Sequence, residues 1–464
     1  MKNISKIYKT RVSVVSFVLF FLIAGEFAFA GDTDLFGDKV NGSINLKYRS
    51  RATDQDEDVD FFADLRLNVQ AMKTLSFNLD AREIIDLDEN LKWEGSYVFD
   101  EVYKTRDNLK LYAASLDWKP ENSFIRTLRV GRQYSYENYS FHFDGLRIET
   151  KEFEKAANLK AYFYGGLPVR YFSSPHYPPR FDCSACHSAG GPKLSTESDG
   201  SLYGGGIQIR PWKTTRFSLD YTLLSDDTLY GDIDTDYSSL NVWHNFTDNV
   251  QMQLKYAMLE GEGTDYKAMF NINCPDNNAN IQIVYFKQLE TLFNLPLEFD
   301  PFSYALNESN PYQNLGVYAY KGFGDKFFMS FGGDSRTVSK NDQNDHNLEY
   351  SHYWVAPGCQ DIGLKGLSAS VSLDFWNTDE DDITTYGANV NYLWMKKLKA
   401  SVGTSFAVLK YDYITGKEQT DVRSYFVKLS YNVTDFLKIY SDYQFEDDEF
   451  DTYDTFQVGT SLEF

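Results

Sequence analysis

From residue 62 to residue 70 the chain reads Phe-Ala-Asp-Leu-Arg-Leu-Asn-Val-Gln. On an extended backbone this places Ala63, Leu65, Leu67 and Val69 on one side and Asp64, Arg66, Asn68 and Gln70 on the other. After Lys73-Thr74 the same design returns, with Leu75, Phe77, Leu79 and Ala81 against Ser76, Asn78, Asp80 and Arg82. It recurs as Phe217, Leu219, Tyr221 and Leu223 against Arg216, Ser218, Asp220 and Thr222, and again over residues 423–431 and 455–464. One such segment is a weak signal. Its repetition along the chain, with no helix-period stretch between, restricts the fold to the all-β class.

What the apolar faces meet follows from composition. Mean hydropathy is low, at −0.45, yet the chain holds 36 Phe, 34 Tyr and 7 Trp. A membrane barrel reconciles the two. Its strands turn apolar residues to lipid and polar residues to the lumen, and its aromatic residues gather at both interfaces. A soluble chain of 464 residues would divide into several domains, and no linker or compositional change marks a boundary here. The expected fold is a transmembrane antiparallel β-barrel of about 22 strands, with about 18 to 22 admitted. At the N-terminus Lys2, Lys6, Lys9 and Arg11 precede a mostly apolar run over residues 14–24 and the small-residue site Ala28-Phe29-Ala30. That order is a secretory leader, cleaved near Ala30. Residues 1–30 are therefore the expected signal peptide and 31–464 the barrel. A formal charge of −22 argues against a nucleic-acid partner.

The connections orient the barrel. Short turns such as Lys73-Thr74, Lys213-Thr214 and Lys396-Lys397 take turns with longer links over residues 54–58, 87–108, 171–201, 289–311 and 446–451. Bacterial barrels have short periplasmic turns and long external loops, with both termini in the periplasm. Phe456, Val458, Thr460, Leu462 and Phe464 share one face of the last segment, which ends on an aromatic residue. This matches the closing-strand signal of outer-membrane barrels. The expected location is the cell outer membrane, in contact with its lipid.

One segment is foreign to a plain porin: Cys183-Ser184-Ala185-Cys186-His187. In a CxxCH motif the two thiols add across the two vinyl groups of haem, and the adjacent imidazole ligates the iron. The reading is one haem c, held covalently by Cys183 and Cys186 with His187 as proximal ligand. A CxxC disulfide or a zinc site are the alternatives. No Met lies within residues 171–201, so the distal candidates are His176, then His142, Lys193 or an open position. The motif sits in the long link 168–201 among Pro175, Pro178, Pro179, Gly190, Gly191 and Pro192, which argue against regular structure. On this topology the link is external, with inward folding into the lumen as the alternative. Cys274 and Cys359 fall in links 273–278 and 356–367, both placed on the periplasmic side, where a disulfide between them is allowed and two free thiols are the alternative.

Leu128-Arg129-Val130-Gly131-Arg132-Gln133 followed by Phe143-Asp144-Gly145-Leu146-Arg147-Ile148 resembles a paired-strand pattern of alginate-export-like and related bacterial porins. The resemblance spans about one strand pair. It implies a lumen constriction lined by Arg129 and Arg147 with Glu149 as partner; solvated lumen charges balancing one another are the plainer account. A large aromatic barrel with haem chemistry also resembles the barrel subunit of porin–cytochrome conduits, which implies periplasmic and external multihaem cytochromes as partners. Three functions follow: an electron-transfer conduit with the loop haem as relay, a passive or substrate-selective porin with a structural CxxC disulfide, or an adhesive barrel. Neither a GxSxG element nor a His/Asp/Ser grouping supports an enzyme.

Overall fold

The computed structural model describes residues 39–53, 57–87, 107–136, 140–169, 200–228, 231–289, 292–293, 308–309, 311–339, 349–378, 382–412, 417–447 and 452–464. Their strands are β1 (Val40–Ala52), β2 (Glu57–Met72), β3 (Leu75–Asp86), β4 (Asp107–Trp118), β5 (Ile125–Ser135), β6 (Phe141–Thr150), β7 (Lys160–Pro168) and β8 (Ser201–Trp212). There follow β9 (Thr215–Thr228), β10 (Gly231–Thr247), β11 (Val250–Leu259), β12 (Glu262–Cys274), β13 (Ala279–Gln288), β14 (Leu292–Phe293), β15 (Glu308–Ser309) and β16 (Tyr312–Phe323). The last are β17 (Phe327–Val338), β18 (Tyr350–Gln360), β19 (Leu367–Thr378), β20 (Asp382–Trp394), β21 (Leu398–Asp412), β22 (Lys417–Asn432), β23 (Leu437–Asp447) and β24 (Thr452–Glu463). Except for β14 and β15, which pair only with each other, all of them form one 22-stranded antiparallel sheet.

The sheet closes on itself. β24 lies antiparallel to β1, with Leu462 opposite Ile44 and Val458 opposite Tyr48. Gly42 and Phe464 exchange backbone hydrogen bonds of 2.8 and 3.0 Å, so the ladder runs to the last residue. A closed barrel has no unpaired edge, the condition for placing strands in lipid.

The alternation read in the sequence becomes the two faces of this wall. Leu219 is 47% exposed on the outward face, as are Leu240, Leu315, Val371, Val402 and Leu429 on other strands, while Asp220 and Thr222 turn inward and are buried. Trp118, Phe124, Trp212, Phe327 and Trp394 are exposed near the short-turn ends, and Tyr203, Tyr221, Tyr353 and Tyr386 are exposed nearer the opposite ends. Two aromatic rings bounding an aliphatic belt are what a bilayer selects.

The long links over 87–106, 169–200 and 289–311 all lie at the end of the barrel opposite the β2–β3 turn, an end that also holds the tight turn Glu260-Gly261 between β11 and β12. Two acidic links are shorter than the sequence suggested. Glu57 and Asp58 already belong to β2, and Glu446 and Asp447 to β23. The reason is pairing across strands: Arg51 Nε donates to Asp58 at 2.7 Å, Arg49 pairs with Asp60, and Ser424 donates to Glu446 at 2.8 Å. Charges that read as solvated loop are satisfied by the lumen wall instead.

On the lumen side of β6 to β10, near the end that carries the long links, Phe141, Phe143, Tyr164, Leu202, Leu224 and Tyr237 form a buried apolar cluster. It stands where β7 and β8 give way to the 169–200 link.

Candidate functional site

Register brings four residues from four strands into one row: Asp117 opposite Arg129, Arg129 opposite Arg147, and Arg147 opposite Tyr164. Their chain neighbours Leu116 and Val130 are about half exposed on the outward face, so the row itself faces the lumen. Two arginines side by side repel one another. Carboxylates compensate. Arg129 donates through Nε and Nη2 to the two oxygens of Asp117, at 2.6 and 2.7 Å, a fork-to-fork pair. Arg147 donates from Nε to Glu149 at 3.0 Å, and Lys160 reaches the other oxygen of Glu149 at 3.1 Å. The Arg147 guanidinium also lies 4.9 Å from the Tyr162 ring and 5.9 Å from the Tyr164 ring, which fixes its plane.

Backbone geometry supports the row from above. Gly131 has φ +122°, and the position of a Cβ there is occupied by the carbonyl oxygen of Ala114. Gln133 donates to the carbonyls of Gly131 and Gly145, at 3.3 and 3.2 Å. The Gly and Gln of the Arg-Val-Gly-Arg-Gln segment thus shape the wall, and Arg129 is presented by it.

Below the row, at the short-turn end, a cavity of about 290 Å³ is lined by Asp117, Lys119, Arg126, Thr127, Arg129, Arg147 and Glu149. The three lumen residues singled out from sequence therefore share one site. Lys119 and Arg126 were not foreseen. They flank the β4–β5 turn: Lys119 follows Asp117 by two residues, and Arg126 sits at a register shift between Ile125 and Thr127 that no sequence pattern announces.

The remaining candidates fall elsewhere. Cys183, Cys186, His187, His176 and Lys193 lie outside the described residues. His142 is not a loop residue. It belongs to β6, is 1% exposed, contacts the Tyr112 carbonyl through Nε2 at 2.9 Å and stacks on Tyr134 with ring centroids 4.1 Å apart. That makes it part of the wall. Cys274 and Cys359 are free thiols, one of the two states that the sequence left open for them. They end β12 and near the end of β18, with β13, β16 and β17 between those strands. Four strand spacings amount to about 19 Å, whereas a disulfide needs Cα atoms within about 7 Å.

A second lumen cluster was also unforeseen. His352 on β18 lies between Asp334 on β17, at 3.3 Å from Nδ1, and Asp374 on β19, at 3.2 Å from Nε2. Its ring stacks on Trp376 at 3.8 Å. About twenty residues separate the partners, so only the sheet register joins them.

No protein-family description matches the chain, and no curated protein matches it. Solved structures do. A variant of the ferric enterobactin receptor PfeA from Pseudomonas aeruginosa is similar with a TM-score of 0.54 at 9% identity, over 92% of this chain and 80% of that one. The translocation pore of the P pilus usher PapC is similar with a TM-score of 0.50 at 10% identity, over 92% of this chain and 99% of that one. What is shared at such identity is architecture, that of the bacterial outer-membrane β-barrel.

Proposed function

We propose that this barrel is the channel component of an electron-transfer conduit across the outer membrane, carrying one haem on the link between β7 and β8. The observation that carries the reading is Cys183-Ser184-Ala185-Cys186-His187, a motif whose spacing is set by the porphyrin. Two further features support it. Barrels of about 22 strands enclose a lumen wide enough to require an occupant, and a cytochrome is an occupant of suitable kind. The ends of β7 and β8 that bracket the link also rest on the buried apolar cluster of Phe141, Phe143, Tyr164 and Leu202, so the link leaves from a packed part of the wall. In this reading Cys183 and Cys186 would hold the haem, His187 would ligate its iron with His176 as the first candidate for a second ligand, and the group would supply a one-electron centre. A single centre does not span an apolar belt of about 25 Å, so a periplasmic multihaem cytochrome enters or caps the lumen and an external cytochrome or mineral accepts the electron.

A second reading, a substrate-selective porin with Cys183 and Cys186 as a disulfide, is favoured by the charged row of Asp117, Arg129, Arg147 and Glu149 on the lumen wall. One experiment separates the two. The protein is produced in cells with working cytochrome-c maturation, denatured and stained for haem, which persists only if covalent. Stain that is lost in the Cys183→Ala, Cys186→Ala double variant supports the conduit. Absence of stain in the wild type moves the assignment to the porin. Reconstitution into liposomes holding a reduced dye, with an impermeant ferric acceptor outside, then tests transport. Dye oxidation must need both a cytochrome and the CxxCH motif, and escape of the dye itself marks an open pore.

A further inference from the structure

The cavity at the short-turn end of the lumen runs against the charge of the chain that forms it. The protein carries a formal charge of −22, with 67 acidic residues against 45 basic ones, so a cation has ample choice of counter-charge. Yet four cations, Lys119, Arg126, Arg129 and Arg147, line this cavity with only Asp117 and Glu149. Both carboxylates are already committed. Asp117 is held by both arms of its arginine, and Glu149 is shared between Arg147 and Lys160. Among the described residues neither Lys119 nor Arg126 has a carboxylate within ion-pair distance.

The two exposed cations, Lys119 and Arg126, thus carry charge that no described carboxylate balances, and an anion in the cavity gains from both. Arg129 and Arg147 are directly opposed in the register, a like-charge pairing that weakens a sheet. The two tyrosine rings beneath Arg147 and the forked bond to Asp117 keep the guanidinium groups planar and fixed. The Nε and Nη2 groups of Arg129 are taken by Asp117 and those of Arg147 by Glu149, so these two act on an anion through fixed positive charge, while the N–H groups of Lys119 and Arg126 can meet several oxygens at once, which a halide cannot offer. A volume of about 290 Å³ admits a small oxyanion with its remaining water and excludes a folded chain.

We infer that this cavity is a binding site for a small multivalent oxyanion, of the phosphate or dicarboxylate kind, reached from the short-turn mouth of the barrel. Lys119 and Arg126 supply the uncompensated charge and the hydrogen-bond donors, and Arg129 and Arg147 add fixed positive charge at the wall. The inference stands apart from the conduit reading, since it involves no residue of the CxxCH link.

The test uses the full chain in detergent, titrated calorimetrically with inorganic phosphate and separately with succinate, at an ionic strength held constant with chloride. Saturable binding of either anion is expected. The Lys119→Gln, Arg126→Gln double variant should weaken it about tenfold or more, the scale of one charge-assisted bond. These two residues are chosen because removing them orphans no carboxylate, and heat-modifiable migration of the variant confirms that it folds. A control double variant, Lys396→Gln with Lys397→Gln, removes the same charge from another turn at the same end and should leave affinity within about twofold. Binding of phosphate alone or of succinate alone supports the site and names its ligand. No saturable binding of either, or an equal loss in the control, overturns it.

Discussion

At the scale of the residue, the lumen row is held by one carboxylate. Asp117 is 3% exposed and receives two bonds from Arg129, while the Arg129 side chain is 35% exposed. Asp117→Ala leaves Arg129 beside Arg147 without its counter-charge. The expected loss is about 1–2 kcal/mol, the lower part of the range for bonds to charged groups, because water screens the exposed arginine. Urea unfolding in detergent measures it, and an unchanged midpoint would contradict the assignment. Gly131→Ala is a backbone test. At φ +122° an L side chain is strained, at a cost of about 1–3 kcal/mol, seen as a lower temperature for loss of the folded gel band. The thiols give a count. With Cys274 and Cys359 free, alkylation without reductant should label both. Recovery of a peptide bridging them would refute the strand separation described here.

Single elements carry the membrane argument. On β9, Leu219 points outward and its neighbour Ser218 inward, so the same substitution has opposite consequences one residue apart. Leu219→Arg places a charge against lipid, at about 2–4 kcal/mol near the bilayer midplane, and should lower the fraction of chain assembled into membranes. Ser218→Arg adds a lumen charge and should assemble at near the wild-type level. Equal assembly of the two would mean that the two faces do not differ, and the reverse order that they are exchanged. The strand ends teach a complementary point. Asp58 and Glu446 read as loop residues because acidic runs are usually solvated, but partners on neighbouring strands, Arg51 and Ser424, hold them within the ladder.

For the whole molecule, closure from β24 to β1 predicts a compact barrel that resists detergent. Unheated protein should migrate faster than boiled protein on a gel, with mainly β circular dichroism, and identical mobility would contradict closure. Orientation is open to direct test. An epitope inserted between Lys396 and Lys397, in the turn joining β20 to β21, should be reached by antibody only after the outer membrane is made permeable. Labelling of intact cells would invert the barrel.

Period-two alternation is a property of the local chain, so strand existence, the outward and inward sets on β9 and β22, the strand number and the grouping of long links at one end were all legible in sequence. Glycine and arginine in Arg-Val-Gly-Arg-Gln were legible as a motif, but not as a backbone constraint and a lumen row. Whatever depends on which strand lies beside which had no local signal. The meeting of Arg129, Arg147 and Glu149 with Lys119 and Arg126, the clasp of His352 by Asp334 and Asp374, and the distance between Cys274 and Cys359 were decided by register and by position around the barrel. The physical reason is that a strand's own side chains set its faces, whereas the hydrogen-bond ladder sets its neighbours, and a shift of one residue in that ladder changes every partner.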